Sequence, residues 1–348
     1  MLYRYVVRPV LFLFPPERIH SITIRIFRLL PLLGFFWGKK INRLLKKRDY
    51  SIRVFGLDFP HPVGLAAGLD KNAKVTRFMK YSGIGFVEIG TITPKPQSGN
   101  PRPRLFRIKR DHALINRMGF NNPGIDGALR ELRKRPSGLI IGGNIGKNTH
   151  TSNENAWKDY LECFKALYDY VDYFVVNISC PNIPDLTDLQ DKDSLMQIMD
   201  VLMEYRSTQN IYRPVLLKLS PDLTETQLDE MIDVVRMKHI DGLVATNTSI
   251  KRDHLSTSKQ RIKRIGKGGL SGQPLAERST EVIRYLHQKL GDSVPIIASG
   301  GVMTPAIALE KLHAGALLVQ VYTGYIYYGP GLVSGILRKM QRLNRESL

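Results

Sequence analysis

Cysteine is nearly missing from this sequence: Cys163 and Cys180 are the only two among 348 residues. They stand far apart and without metal-ligand spacing, which excludes a disulfide framework and fits a reducing compartment. Long apolar runs are also missing. The most apolar stretch, 29–37, falls well short of the roughly 20 residues of a spanning helix. The N-terminus has no uninterrupted apolar core followed by a small-residue cleavage site, so no secretory signal is expected. There is no internal repeat, no low-complexity linker, and no clean GxGxxG turn of the dinucleotide-binding kind. Acidic residues are scarce in one place. Residues 1–48 carry eleven Lys/Arg and a single acid, Glu17.

What is present is a full globular composition, 43% apolar, with 51 Lys/Arg against 31 Asp/Glu and a formal charge of +20. Such an excess favours an anionic partner: nucleic acid, a membrane surface or phosphate-bearing ligands. About half of it sits in 1–48. There Pro15, Pro16 and Glu17 mark a helix start, and Ile19, Ile22, Ile26, Leu29, Leu30 and Leu33 recur at helical spacing. Arg18, Ser21, Arg25 and Arg28 form a polar stripe, Pro31 ends or kinks the helix, and a basic run follows from Lys39 to Arg48. An amphipathic, Arg-rich helix of this kind lies naturally in a membrane interface. The other reading is a helical subdomain packed on the main body with a solvated basic face. The richness of Phe35, Phe36 and Trp37 favours the membrane.

From Ser51 onward short β-branched runs alternate with helical patterns. Candidate strands are 62–68, 85–91, 139–145, 173–179, 215–220, 242–247, 295–299 and 316–322. Helical segments fall at 154–170, 195–205, 224–238 and 279–289. Eight such units predict an α/β fold, a (β/α)8 TIM barrel over 49–348 behind an N-terminal helical extension of 1–48. The gap from 92 to 138 reads as irregular and polar, a lid or insertion at the rim.

In such a barrel the chemistry gathers where strands end. The run 173–186, YFVVNISCPNIPDL, is an apolar strand that stops in Asn177, Ser179, Cys180, Pro181 and Asn182. A thiol there can move a proton or act as nucleophile, and amides can hold a planar polar ligand. Alternatively, Cys180 is a small core filler beside a turn. Other strand ends bring Asp70, Lys71, Thr91, Asn144, Lys218, Thr246 and Asn247. Taken singly, Lys218 could snorkel, and Asn144 or Asn247 could cap helices. Polar groups at nearly all strand ends indicate one site. Gly268 to Gly272, Ser299-Gly300-Gly301 and Tyr322-Thr323-Gly324 suit a phosphate cradle, because backbone N–H groups there approach an oxyanion closely. A phosphate handle plus a flat polar ring suggests FMN.

The motifs AAGLDKN (66–72), GTITPKPQ (90–97), PRLFR (103–107), NRMGFNNPG (116–124), NIGKN (144–148), ATNTS (245–249) and GGLSGQPL (268–275) resemble, in this order, the dihydroorotate dehydrogenases. The N-terminal extension is similar to that of the membrane-associated, quinone-using class 2 members. The resemblance implies FMN in a barrel and oxidation of dihydroorotate to orotate in pyrimidine synthesis, with electrons passed to a membrane quinone. It places the cofactor against Ala67, Gly68, Leu69, Asp70, Lys71, Thr91, Asn144, Asn177, Lys218, Thr246, Gly272, Gly301, Tyr322 and Thr323. It places the substrate against Lys71, Asn116, Arg117, Met118, Gly119, Phe120, Asn177, Asn182, Asn247 and Thr248. Cys180 takes the position of the catalytic base. There the chain departs from class 2, whose members carry Ser, and matches the soluble class 1 enzymes, which carry Cys.

A soluble fumarate-using enzyme and a basic FMN barrel acting on structured RNA are the rival readings. The basic run at 251–267 permits the second, and the substrate motifs argue against it. The expectation is therefore a monomer at the cytoplasmic face of a bacterial cell membrane, held there through 1–48, with quinone as partner and no nucleic acid. His20 could line the quinone route or merely cap a helix.

Overall fold

The computed structural model describes residues 3–179 and 192–346. The chain opens with a wide helical turn, Tyr3–Val7, running into α1 (Arg8–Leu11), then α2 (Pro16–Leu29) and α3 (Gly34–Leu45). Pro16 sits in the first turn of α2, where its missing N–H costs nothing, and the helix stops short of Pro31. A hairpin follows, β1 (Ile52–Val54) and β2 (Leu57–Phe59), turned by Phe55 and Gly56 at positive φ.

Next come β3 (Val63–Leu65), α4 (Thr76–Tyr81), β4 (Phe86–Ile92), β5 (Leu105–Ile108), β6 (Ala113–Asn116) and α5 (Gly124–Leu132). After these lie β7 (Ile140–Ile145), α6 (Ala156–Leu167), β8 (Tyr173–Asn177), α7 (Lys192–Ser207), β9 (Val215–Leu219) and α8 (Glu225–Met237). The chain continues through β10 (Gly242–Ala245), α9 (Lys259–Ile265), β11 (Gly269–Gly272), α10 (Ala276–Leu290), β12 (Ile296–Ala298) and α11 (Pro305–His313). It ends with β13 (Leu318–Val321), α12 (Thr323–Tyr328) and α13 (Gly331–Glu346).

Strands β3, β4, β7, β8, β9, β10, β12 and β13 close, all parallel, into one barrel in sequence order. These are the eight strands expected from the apolar runs, with most ends trimmed and β4 running one residue further, to Ile92. Both faces are buried, which is why the runs are nearly continuous in Val, Ile and Leu rather than alternating. Outward residues such as Val176 and Leu217 pack under the helices. Inward residues Phe86, Tyr173, Leu216, Val244, Ile297 and Leu318 form a separate cluster at the barrel floor, closed below by Val54 and Phe59 of the hairpin. Gly64 and Gly142 leave room for the large rings there: a Cβ on Gly142 would lie 2.2 Å from the Tyr173 ring, and one on Gly64 2.5 Å from that of Phe86. Each fully buried apolar side chain contributes about 1.5–3 kcal/mol. Helix α8 starts with a reciprocal capping box between Thr224 and Gln227.

One expectation changes. The stretch 92–138 is not irregular, because it holds β5, β6 and α5. Within 268–272, β11 pairs antiparallel with β6, making a three-stranded sheet in the order β11-β6-β5. Pairing across so many residues leaves no local periodicity to read.

The N-terminal helices pack on α4. Phe27 stacks on Phe78 with ring centroids 3.7 Å apart, and Trp37 meets the same ring edge-on. The contact leaves the apolar side of α2 turned away from the barrel. Ile22, Ile26 and Leu29 are exposed, as are Leu30, Leu32, Phe35 and Phe36. Among the described residues no single helix is long and apolar enough to cross a membrane, and α2 is bent by 96° from the stretch 31–45.

Candidate active site

A cavity of about 620 Å³ opens at the C-terminal ends of the barrel strands. Its floor is a hydrogen-bonded network centred on Glu88 of β4, which is fully buried. The Glu88 carboxylate accepts from Lys218 Nζ (2.9 Å), Asn144 Nδ2 (2.8 Å) and Gln320 Nε2 (2.6 Å). Asn144 Oδ1 in turn accepts from Thr91 Oγ1 (2.5 Å) and Asn177 Nδ2 (3.2 Å). Asn247 Nδ2 donates to Asn177 Oδ1 and to Ser179 Oγ, and Ser179 Oγ donates to the Lys218 carbonyl. Six strands are thereby locked at their ends, and the Glu88–Lys218 pair keeps the buried floor neutral overall. Neutrality matters because an unpaired ion costs several kcal/mol there.

One side of the cavity comes from the loop after β3. Lys71 Nζ donates to Asn121 Oδ1 (2.5 Å). The Asp70 carboxylate is turned to its own loop and accepts from Lys74 N and Val75 N, both at 2.8 Å. Burial pushes its pKa up to about 6 against those hydrogen bonds and the Lys74 charge. The opposite rim is glycine. A Cβ on Gly301 would fall 2.3 Å from Ala276 Cα, and one on Gly324 would fall 2.1 Å from the Val302 carbonyl. Ser271 Oγ and Thr323 Oγ1 share a hydrogen bond of 2.8 Å beside them.

The roof is α2, which lends Glu17, His20, Ser21, Ile24, Arg25 and Arg28 to the lining. Ser21, Arg25 and Arg28 of the stripe read from the sequence thus lie at the cavity mouth, Arg18 does not reach it, and Ile22, Ile26 and Leu29 point outward. Burial raises the Glu17 carboxyl, but Arg104 and Arg102 together hold it below its ordinary value; the Arg104 contact is 2.8 Å. Burial pushes His20 down to about 4, aided by the Lys71 charge and opposed by Glu17.

Most of the residues singled out in the sequence come together here. Ala67, Gly68, Leu69, Asp70, Lys71, Thr91, Asn177, Lys218, Thr246, Gly272, Gly301, Tyr322 and Thr323 line the cavity, and so do Asn116, Met118, Gly119, Phe120, Asn247 and Thr248. Two do not reach it. Asn144 lies one layer beneath, and the Arg117 guanidinium is directed to the carbonyls of Ile265, Lys267 and Pro103. Cys180 and Asn182 lie outside the described residues. Glu88 and Gln320 were missed by reading strand ends alone. Each is a polar residue in the middle of an otherwise apolar strand buried on both faces, and that was the available signal.

A closed parallel barrel with a charged, hydrogen-bonded floor, a glycine rim and a helical roof defines a (β/α)8 protein with one composite ligand site at the usual end of the barrel. The family profile "Dihydroorotate dehydrogenase" matches residues 50–343. A "Dihydroorotate dehydrogenase (quinone)" of Christiangramia forsetii is 47% identical over 97% of this chain and 98% of its own length. One of Coxiella burnetii with the same name is 42% identical over the full length of both chains. The crystal structure of the Eimeria tenella enzyme in complex with ferulenol superposes with a TM-score of 0.84 at 34% identity, covering 95% of this chain and 92% of that one. The chain belongs to the dihydroorotate dehydrogenase family.

Proposed function

We propose that this protein is a quinone-dependent dihydroorotate dehydrogenase that uses FMN, oxidises (S)-dihydroorotate to orotate in pyrimidine biosynthesis, and works while lying on a membrane through residues 1–48. The observation that carries the reading is a single cavity reaching from Lys71, Asn177 and Lys218 at the strand ends to Glu17, His20 and Arg25 beneath α2. One space so built can serve a reductant at its floor and an apolar acceptor entering past a helix whose outer face is apolar.

The residues present fit FMN. Gln320 Oε1 is buried at the lining and has no hydrogen-bond partner among the described residues, an acceptor suited to a ring N–H. Gly300 and Gly301, both at positive φ, expose backbone to a phosphate. Ala67, Gly68, Leu69, Asp70, Lys71, Thr91, Asn177, Lys218, Thr246, Gly272, Gly301, Tyr322 and Thr323 would hold the cofactor, with Asn144 supporting from below. Bound there, FMN would supply two-electron redox chemistry between the substrate's C6–H and the quinone.

The chain's own groups do the rest. Lys71 neutralises the substrate carboxylate. Asn116, Asn177, Asn182, Asn247 and Thr248 pair with the donor and acceptor edges of the pyrimidine. The segment with Met118, Gly119 and Phe120 excludes water. Cys180 takes the proton from C5 as hydride leaves C6 and the C5–C6 double bond forms. Its neighbour Ser179 is held by Asn247 and the Lys218 carbonyl, which steadies the chain leading into the base. Anaerobic mixing with dihydroorotate should bleach the flavin, and quinone should then restore its colour faster than fumarate. An unbleached flavin refutes the activity, and recovery by fumarate alone refutes the acceptor.

A further inference from the structure

Lys311 of α11 is fully buried, and among the described residues no carboxylate pairs with it. Its ammonium donates instead to three neutral oxygens in the first turn of α10: the Ala276 carbonyl (2.9 Å), Ser279 Oγ and Thr280 Oγ1 (2.9 Å). Two costs attach to this placement. A buried ammonium without a counter-charge loses several kcal/mol of hydration. A cation at the start of a helix also faces the positive end of the macrodipole, here that of a 15-residue helix. Of the other two buried lysines among the described residues, Lys218 meets Glu88 and Lys147 donates to the Thr151 carbonyl at 2.7 Å. Lys311 has no such carboxylate among the described residues.

The missing negative charge has a place. Ala276 is the residue against which Gly301 packs without a Cβ, and Ser279 Oγ donates onward to the Gly300 carbonyl at 2.9 Å. Gly300 and Gly301 line the cavity, whereas Lys311 does not. The ammonium therefore stands directly behind the glycine rim, one layer from any ligand there. We propose that Lys311 is a positioning residue for the phosphate end of the site, a concealed cation whose counter-charge is the anion resting on Gly300 and Gly301. This rests on the FMN reading above. It explains why the ammonium of Lys311, carried on the last turn of α11, is set against the start of α10 in the core, and why the rim itself needs no arginine. Burial pushes the Lys311 pKa down to about 7, with Glu310 opposing, as expected for an ammonium kept from its partner.

The test separates charge from packing. FMN and riboflavin affinities are measured by flavin fluorescence on the full-length protein freed of flavin, for the parent and for Lys311→Met, Lys311→Gln and Lys311→Arg, with circular dichroism as the check on folding. Two elementary charges acting through one protein layer predict that both neutral variants lose about ten- to a hundredfold in FMN affinity, with riboflavin affinity little changed. Lys311→Arg should keep most of the preference for FMN. Lys311→Gln retains hydrogen bonding to the two hydroxyls and carries the test if the Met variant does not fold. A folded neutral variant with the parent's full preference for FMN overturns the inference, as does an equal loss for both flavins. A parent that binds neither flavin, or binds both equally, overturns the FMN reading itself.

Discussion

Replacing Glu88 by Gln changes one charge and almost no volume, at a residue fully buried among Lys218, Asn144 and Gln320. The neutral hydrogen bonds can be rebuilt. Glu88 Oε1 serves Lys218 and Asn144 while Oε2 serves Gln320, so the new amide would keep its oxygen toward the first two. Its NH2 would then face Gln320, whose Oε1, without a partner among the described residues, can turn to accept. What cannot be rebuilt is the counter-charge of Lys218, which is left in a site only about 5% exposed. Breaking a buried pair from one side costs about 3–5 kcal/mol, so Glu88→Gln should lose about that much stability. Guanidinium unfolding of both proteins freed of flavin measures it, since unequal cofactor loading would shift the midpoint by itself. The double variant Glu88→Gln/Lys218→Met should recover most of the loss, because it removes the stranded ammonium. A single variant within about 1 kcal/mol of the parent, or a double variant less stable than the single, would refute the account of the floor.

Lys71→Ala should weaken orotate binding about tenfold or more, the value of an ionic hydrogen bond; unchanged affinity in the folded, flavin-loaded variant removes Lys71 from the substrate site. Cys180→Ala should slow flavin reduction about 10²–10⁴-fold with FMN content unchanged, while Cys180→Ser keeps substantial activity at a higher pH optimum; stopped-flow reduction across pH decides this. His61 is held neutral, with Nδ1 accepting from Val63 N and Nε2 facing the Gly83 carbonyl, and burial pushes its pKa from 6.5 down to about 4. The unfolded chain therefore takes up that proton first, so stability is full above pH 6.5 and falls by about 3 kcal/mol toward pH 4; an equal fall in His61→Gln would show that other groups cause it. Deleting residues 1–48 should abolish quinone turnover and binding to anionic vesicles. It should also loosen FMN, because Tyr3 and Arg8 donate to the Ile326 and Tyr327 carbonyls at the end of α12, whose Thr323 and Gly324 line the cavity; excess FMN should then restore reduction by dihydroorotate.

The barrel could be read from the chain because every one of its strands is buried on both faces. Runs such as Val215–Leu219 and Tyr173–Asn177 carry their hydrophobicity without alternation, and each stops at a polar residue where the barrel opens to ligand. Lys71, Asn177, Lys218 and Asn247 were visible for that reason. The amphipathic pattern of α2 was equally legible, since a helix displays its two faces at a fixed period.

Tertiary structure alone decided which way those faces point. Docking Phe27 and Trp37 onto Phe78 turns Ile22, Ile26 and Leu29 outward and lays Arg25 and Arg28 over the cavity. Glu88, Gln320 and Lys311 likewise acquire meaning only from partners on strands and helices far away in sequence. Glu88 meets a lysine from β9 and a glutamine from β13, and Lys311 meets the first turn of α10. Hydrophobic periodicity is a property of neighbours along the chain. The pairing of a buried charge is a property of neighbours in space, and no local pattern records whether the partner is a carboxylate, a hydroxyl or an anion still to be bound.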